Sequence, residues 1–197
     1  MLQDLGYYKA RAEDPQVSVI GKEGEASYGD VSVRVEEGDR YYLGEITFPG
    51  ASLFDPYELR RQFPIDRGSL LNTTAIGTGL DRLREMYADR GYPNFGAIPQ
   101  PSFDIEHHIV AFTIDIDEGK AYRFGKLMLG GLEPFAGAGH ALLTCWRLEG
   151  KQYNPQLLKN WLAKCTLDWP ADAAKRSRAE DVEDNDSNVV NVRLEFP

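Results

Sequence analysis

A phrase that recurs about eighty residues further along constrains this chain more than any other feature of it. EEGDRYYLGEITFPG (Glu36 to Gly50) aligns with DEGKAYRFGKLMLGG (Asp117 to Gly131). Glu37, Gly38, Tyr41, Gly44 and Gly50 fall on Glu118, Gly119, Tyr122, Gly125 and Gly131, while Ile46 and Phe48 fall on Leu127 and Leu129. Shared glycines carry physical content, because glycine supplies backbone angles and close approaches that other residues resist. The residues ahead of each turn repeat in kind. Val31, Val33 and Val35 alternate with Ser32 and Arg34, as Phe112, Ile114 and Ile116 alternate with Thr113 and Asp115, and each run reads as a half-buried strand. Upstream, Gly6-Tyr7 matches Gly91-Tyr92. The first interval is a few residues longer, which puts the insertion GKEGEASYGD in a hairpin loop, where added length costs little. A fainter third copy of the last strand is Asn188 to Phe196, with Val190, Val192, Leu194 and Phe196 alternating against polar residues.

Only the middle unit is complete. After a strand at Tyr42 to Phe48, Asp55 can cap a helix, Pro56 suits its first turn, and Leu59 and Phe63 can face a core. A turn at Asp66-Arg67-Gly68 leads to a second helix, about Thr74 to Arg90, with Ile76, Leu80, Leu83 and Tyr87 on one face and Gly91 as a left-handed cap. Strands near Asn94 to Asp104 and Ile109 to Asp117 follow. The third unit repeats this order with a strand at Phe124 to Leu129, helices at Phe135 to Leu143 and Asn154 to Cys165, a strand near Ala173 to Glu180, and the final strand. The first unit begins inside its second helix, which implies a chain cut from a longer one, with Met1 an added initiator and any targeting signal left behind.

Composition excludes several classes of function. With 42% hydrophobic and 27% charged residues over 197 positions, the chain has the balance of a folding protein. A formal net charge of -9 opposes nucleic acid, whose phosphates need clustered Lys and Arg. No apolar stretch approaches the roughly 20 residues needed to span a bilayer as a helix. MLQDLGYYKARAE is not a signal peptide, since no basic region precedes an apolar run.

The order strand-helix-helix-strand-strand, the phrase LDRLREMYADRGYPN (Leu80 to Asn94), the strand ending in Asp117-Glu118-Gly119 and its sequel AYRFGKLMLGG resemble polypeptide-transport-associated (POTRA) repeats. These form the periplasmic arm of outer-membrane barrel proteins that insert or translocate polypeptides. The resemblance is strong for Leu2 to Gly131 and weaker for Leu132 to Pro197, where Trp169-Pro170 replaces the Gly-Tyr pair and Glu195-Phe196-Pro197 the closing Glu-Gly. It implies an α+β fold of tandem β-α-α-β-β repeats, each a three-stranded mixed sheet with two helices on one face. The expected domains are 1–38 (the C-terminal part of a first repeat), 39–119 (a complete second) and 120–197 (a divergent third). It further implies a non-catalytic scaffold in the periplasm of a Gram-negative-type cell, continuous with an outer-membrane barrel, without cofactor, nucleic acid or small-molecule substrate. Its partners would be extended polypeptide clients; the alternative is a docking module for accessory assembly proteins or lipoproteins.

Strand addition at a sheet edge is largely independent of the partner's sequence. The resemblance implies that the receiving edge is the second strand of each repeat, about Tyr8 to Glu13, Asn94 to Asp104 and Ala173 to Glu180. Pro99 and Pro101 lie two apart, so the donors they lack point to one side, and that edge is expected to be blunted. The favoured edge residues are then Tyr8, Lys9, Ala10, Arg11, Ala12 and Glu13, and Ala173, Ala174, Lys175, Arg176 and Ser177. Gly38 with Tyr41 and Gly119 with Tyr122 are expected to form the turns between repeats, leaving almost no linker and a semi-rigid arm.

The remaining motifs have structural explanations. Cys145 and Cys165 are either joined across two helices in an oxidising compartment or buried and reduced. In the acidic run AEDVEDNDSN a calcium-loop frame starting at Asp181 puts Asp186 where Gly is required and Val192 where Glu is required, so it reads as a solvated hairpin tip. His107 and His108, as adjacent strand residues, would face opposite ways and not share a metal. Gly77-Thr78-Gly79 and Gly137-Ala138-Gly139 lack the third glycine of a dinucleotide fingerprint, Arg82 and Leu142 standing there, and serve close helix packing instead. No catalytic signature is present, and Asp81, Glu85 and Asp89 fit the polar side of a helix.

Overall fold

The structure is a computed structural model that describes residues 2–23, 26–130, 143–165, 178–184 and 186–195. The chain forms two compact units, one of Met1–Pro49, Phe54–Asp81 and Ile98–Asp115, the other of Gly50–Leu53, Arg82–Ala97 and Ile116–Pro197.

The chain enters through a short 3-10 helix, Leu2–Leu5. Strands β1 (Arg11–Ala12), β2 (Gln16–Glu23), β3 (Ala26–Ser32) and β4 (Val35–Glu36) then pair as two antiparallel ribbons, β1 with β4 and β2 with β3. Two expectations change here. The insertion GKEGEASYGD is not a loop: its arms extend the β2–β3 ladder, with Gly21, Lys22 and Glu23 opposite Tyr28, Ser27 and Ala26. Val31, Val33 and Val35 are not half-buried either, being 64%, 47% and 47% exposed. Their alternation is real, but among the described residues no second layer covers that face, so the valines meet water.

The middle repeat runs β5 (Tyr42–Thr47), α1 (Pro56–Arg60), α2 (Thr73–Ala88), β6 (Gly96–Asp104) and β7 (Ile109–Asp117), with sheet order β5-β7-β6. β5 and β7 are parallel, Tyr42 opposite Ile109 and Leu43 opposite Val110, and a bulge lies between Leu43 and Ile46. A parallel pair needs a crossover, which α1, α2 and β6 supply. Alternation decides which side is core: Val110, Phe112, Ile114 and Ile116 are buried while Ile109, Ala111, Thr113 and Asp115 turn away. Leu59 of α1 and Ile76, Leu83 and Tyr87 of α2 contribute the helical part of the core.

Each helix starts where its sequence can satisfy exposed N–H groups. Asp55 and Glu58 form a capping box on α1. The Asn72 side chain accepts from Ala75 N at 2.8 Å at the start of α2. Gly79 is a packing glycine, since a Cβ there would enter the Phe63 ring. Gly91 ends the α2 segment at φ 81°, the left-handed region glycine enters without strain.

In the third repeat β8 (Arg123–Gly130), α3 (Pro155–Cys165), β9 (Arg178–Asp184) and β10 (Val189–Glu195) reproduce the plan, with sheet order β8-β10-β9. β10 is parallel to β8 and antiparallel to β9. The core is aromatic: Phe124, Trp146, Tyr153 and Trp161 pack with Val190, Val192 and Leu194. The first helix expected here, Phe135 to Leu143, lies outside the described residues except for Leu143. His107 and His108 occupy a turn rather than a strand, with His108 at φ 54°, because the four residues after Asp104 reverse the chain.

Candidate interaction surface: repeat joints and sheet edges

The recurring Gly-Tyr and Glu-Gly-x-x-Tyr pairs meet in space. Tyr41 N donates to Gly6 O at 2.9 Å, and Tyr122 N donates to Gly91 O at 2.7 Å. Gly6 and Gly91 both have positive φ, 86° and 81°. Both are also crowded: an added Cβ would lie 3.0 Å from Leu70 Cδ2 and 3.2 Å from Tyr41 O at Gly6, and 2.9 Å from Gln152 Cγ and 3.0 Å from Tyr122 O at Gly91. One glycine thus serves as helix stop and as seat for the N–H of the residue just before the next strand. Gly38 and Gly119, three residues before Tyr41 and Tyr122, also have positive φ, 69° and 66°.

Side chains differ between the two joints. At the first, the Asp4 carboxylate accepts from Thr74 N at 3.0 Å and Thr73 Oγ1 at 3.1 Å, adding a second cap to α2. The Thr74 N–H is the main reason the Asp4 carboxyl titrates at about 2. Lys9 Nζ sits 4.7 Å from the Phe103 ring centroid and 5.3 Å from that of Tyr41, while Tyr8 packs on Phe103 at 5.3 Å. At the second joint, Asn94 Nδ2 donates to Tyr122 Oη at 3.1 Å and Asn154 Nδ2 to Asp89 O at 3.1 Å, with Gln152 Nε2 donating to Arg90 O.

The Glu118 of the second Glu-Gly pair is a clamp. Its carboxylate accepts from Ser52 N (2.8 Å), Ser52 Oγ (2.5 Å), Leu53 N (2.8 Å) and Tyr87 Oη (3.0 Å). Burial alone would raise its pKa, but the Ser52 hydroxyl, the two N–H groups and the Tyr87 phenol outweigh it and hold the group at about 2. Burial and then this hydrogen bond push the Tyr87 phenol upward in turn.

The sheet edges are unequal. β5 is lined by its own chain: Leu43 N donates to Ser69 O, Gly68 N to Leu43 O and Leu71 N to Tyr41 O. β8 is lined the same way, through Phe124 N to Lys151 O, Gly150 N to Phe124 O and Tyr153 N to Tyr122 O. The opposite edges, β6 and β9, have a strand neighbour on one side only among the described residues. β6 carries Pro99 and Pro101; β9 carries no proline.

Of the expected edge residues, Arg11 and Ala12 form a strand, paired to Glu36 and Val35. Tyr8, Lys9 and Ala10 do not. Tyr8 N donates to Gly6 O and Ala10 N to Tyr7 O, a local turn that aromatic packing on Phe103 reinforces, and Glu13 N donates to Arg34 O. Ala173, Ala174, Lys175, Arg176 and Ser177 lie outside the described residues; β9 starts at Arg178. Cys145 and Cys165 are joined as a disulfide, their Cα atoms 6.8 Å apart. Among the described residues no cluster of three or more His, Cys, Asp or Glu could hold a metal ion, and no helix is long and apolar enough to cross a membrane.

Comparison with known proteins bears on the middle repeat first. Residues 41–119 match the family described as the surface antigen variable number repeat, POTRA. A protein of Treponema pallidum (strain Nichols), named as an outer membrane protein assembly factor, is 26% identical over 130 residues, which is 65% of this chain and 15% of that protein. The chain therefore spans a small part of that relative's length. The crystal structure of Haemophilus influenzae BamA POTRA3-5 aligns over 99% of this chain and 75% of its own, with TM-score 0.71 and 21% identity. BamA from Haemophilus ducreyi lacking POTRA domains 1-3 aligns over 79% of this chain and 29% of its own, with TM-score 0.61 and 16% identity. These two likenesses are of fold.

Proposed function

We propose that this chain, whose residues 41–119 match the POTRA family, is the periplasmic scaffold of an outer-membrane barrel protein, where it binds extended polypeptides by strand addition during outer-membrane protein assembly or export. The observation that carries this reading is the asymmetry of the two complete sheets. Each has one edge lined by its own inter-helix segment and the other, β6 or β9, without a second strand neighbour among the described residues. An edge strand offers main-chain donors and acceptors to any extended chain.

The preferred edge is β9. Seven residues, RAEDVED, keep every backbone N–H, whereas Pro99 and Pro101 remove two donors from β6. The four carboxylates of β9 favour clients with neutral or basic strands, and make capture salt-dependent. Binding, not bond chemistry, is the activity. The domain reading accompanies it: 1–38 as the later part of one repeat, 39–119 as a whole one and 120–197 as a divergent one. The exposed valines of β3 and β4 support the first of these, since the equivalent side of β7 is core.

A crosslinking experiment tests the function. A photoreactive group at Ala179, offered a panel of extended peptides of unrelated sequence, is expected to capture many of them, and more readily than a group at Gln100. Capture of a single folded partner and of none of the peptides would replace the client reading with docking of an accessory protein.

A further inference from the structure

The geometry points to a second binding surface, a cleft on the open face of the middle sheet that takes a lysine or arginine side chain presented by a partner protein. The cleft holds about 580 Å³. Tyr42 of β5 and Ile109 and Ala111 of β7 line it with apolar surface, and Glu45, Asp104, His107 and Arg67 line it with polar and charged groups. Tyr42 and Ile109 are 43% and 37% exposed, although β7 is the central strand of the sheet and β5 its direct neighbour.

The third repeat differs from the middle one at the equivalent bulge. Register places Arg123 and Val189 where the middle sheet has Tyr42 and Ile109, and the β-bulge falls at the same step in both sheets. Asn191 then stands at the position of Ala111. Its side-chain Oδ1 reaches into the bulge and accepts from Lys126 N at 2.9 Å. Alanine has no atom to send there, so in the middle sheet no polar side chain enters the bulge; Ile109 Cγ2 lies closest, 2.8 Å from where a Cβ on Gly44 would stand, and Gly44, Ile109 and Ala111 line the cleft. The charges are reversed as well: Lys126 and Glu149 replace Glu45 and Arg67.

Charge and shape together select the occupant. Among the described residues no hydrogen bond or ion pair holds the Glu45 carboxylate. Asp104 accepts from His107 N at 3.0 Å and lies 2.9 Å from His107 Nδ1, contacts that keep it ionised. Two carboxylates beside aromatic and aliphatic surface suit a side chain with an apolar stem and a cationic head. Arg67, in the same lining, opposes such a guest and would favour an anionic one, so its removal discriminates between them. The inference does not depend on strand capture at β9.

The test is a heteronuclear NMR titration of the full chain with the capped peptides Ac-Gly-Lys-Gly-NH2, Ac-Gly-Arg-Gly-NH2 and Ac-Gly-Glu-Gly-NH2. The cationic peptides are expected to shift the amides of Gly44, Glu45 and Ala111, and 0.5 M salt to abolish the shifts. Glu45→Gln should weaken the response about threefold and Arg67→Ala strengthen it by a similar factor, a single charge being a modest contributor. Ala111→Asn, which installs the residue the third repeat tolerates, should abolish the response while leaving the rest of the spectrum unchanged. Equal shifts with the glutamate peptide, no shifts with the cationic ones, or opposite effects of the Glu45 and Arg67 variants would overturn the proposal.

Discussion

Glu118 gives the sharpest quantitative handle on the middle repeat. Its carboxyl moves from an ordinary 4.5 to about 2 in the fold. A folded-state pKa below the unfolded one stabilises the fold where the group is ionised, so the contribution is complete above about pH 5 and is lost as pH falls toward 2. Converted directly, the shift has a ceiling of about 3 kcal/mol. The group is only partly buried, and solvent screening reduces this to about 1–2 kcal/mol. Glu118→Gln keeps an oxygen for Ser52 N, Leu53 N and Tyr87 Oη but removes the charge, exchanging charge-assisted bonds for neutral ones at a cost of about 1 kcal/mol at pH 7. Both proteins would be unfolded in urea at pH 7, 5, 4 and 2.5, with amide exchange at Ser52 and Leu53 followed in parallel. Asp4, Asp104 and Asp184 also have lowered pKa values. They are common to both proteins, so the difference between the two curves isolates Glu118. The variant should be less stable at pH 7 and should converge on the parent by pH 2.5. Parallel curves across the whole range would refute the clamp.

Gly91→Ala should destabilise by about 2 kcal/mol, through its left-handed backbone and the close contact with Tyr122 O, as read from thermal unfolding. Gly77→Ala, in the open part of α2, should be neutral or stabilising by up to about 1 kcal/mol and serves as its control. Reducing Cys145–Cys165 reopens a 20-residue separation and should lower the stability of the third repeat by about 3 kcal/mol, seen as a shifted tryptophan-fluorescence transition with and without reductant.

Much of the architecture was legible because it rests on short-range physics. The alternation of β7, the helix cap at Asp55 and the glycine stop at Gly91 are each written within a few residues, and each stands where the pattern put it. The first ribbon shows the limit of such patterns. Val31, Val33 and Val35 alternate as core residues do, but alternation reports a strand's apolar side and not whether a layer lies on it. Tyr8 to Ala10 read as strand in the sequence but form a turn whose cause is tertiary: Tyr8 and Lys9 pack on Phe103, nearly a hundred residues away. Glu118 stands out in the sequence as part of a repeated dipeptide, yet its partners Ser52, Leu53 and Tyr87 carry no local signal. A glutamate repeated beside a turn glycine was the one available hint. The difference between the two bulges is likewise invisible, since Asn191 and Ala111 acquire meaning only once the two sheets are in register.

The most direct test of the scaffold reading is residue-resolved amide exchange on the full chain before and after adding an excess of an extended, uncharged peptide. The account predicts new protection at alternate amides of Arg178–Asp184, with Gly96–Asp104 unchanged. Protection that appears first along Gly96–Asp104, or at neither strand, would contradict it.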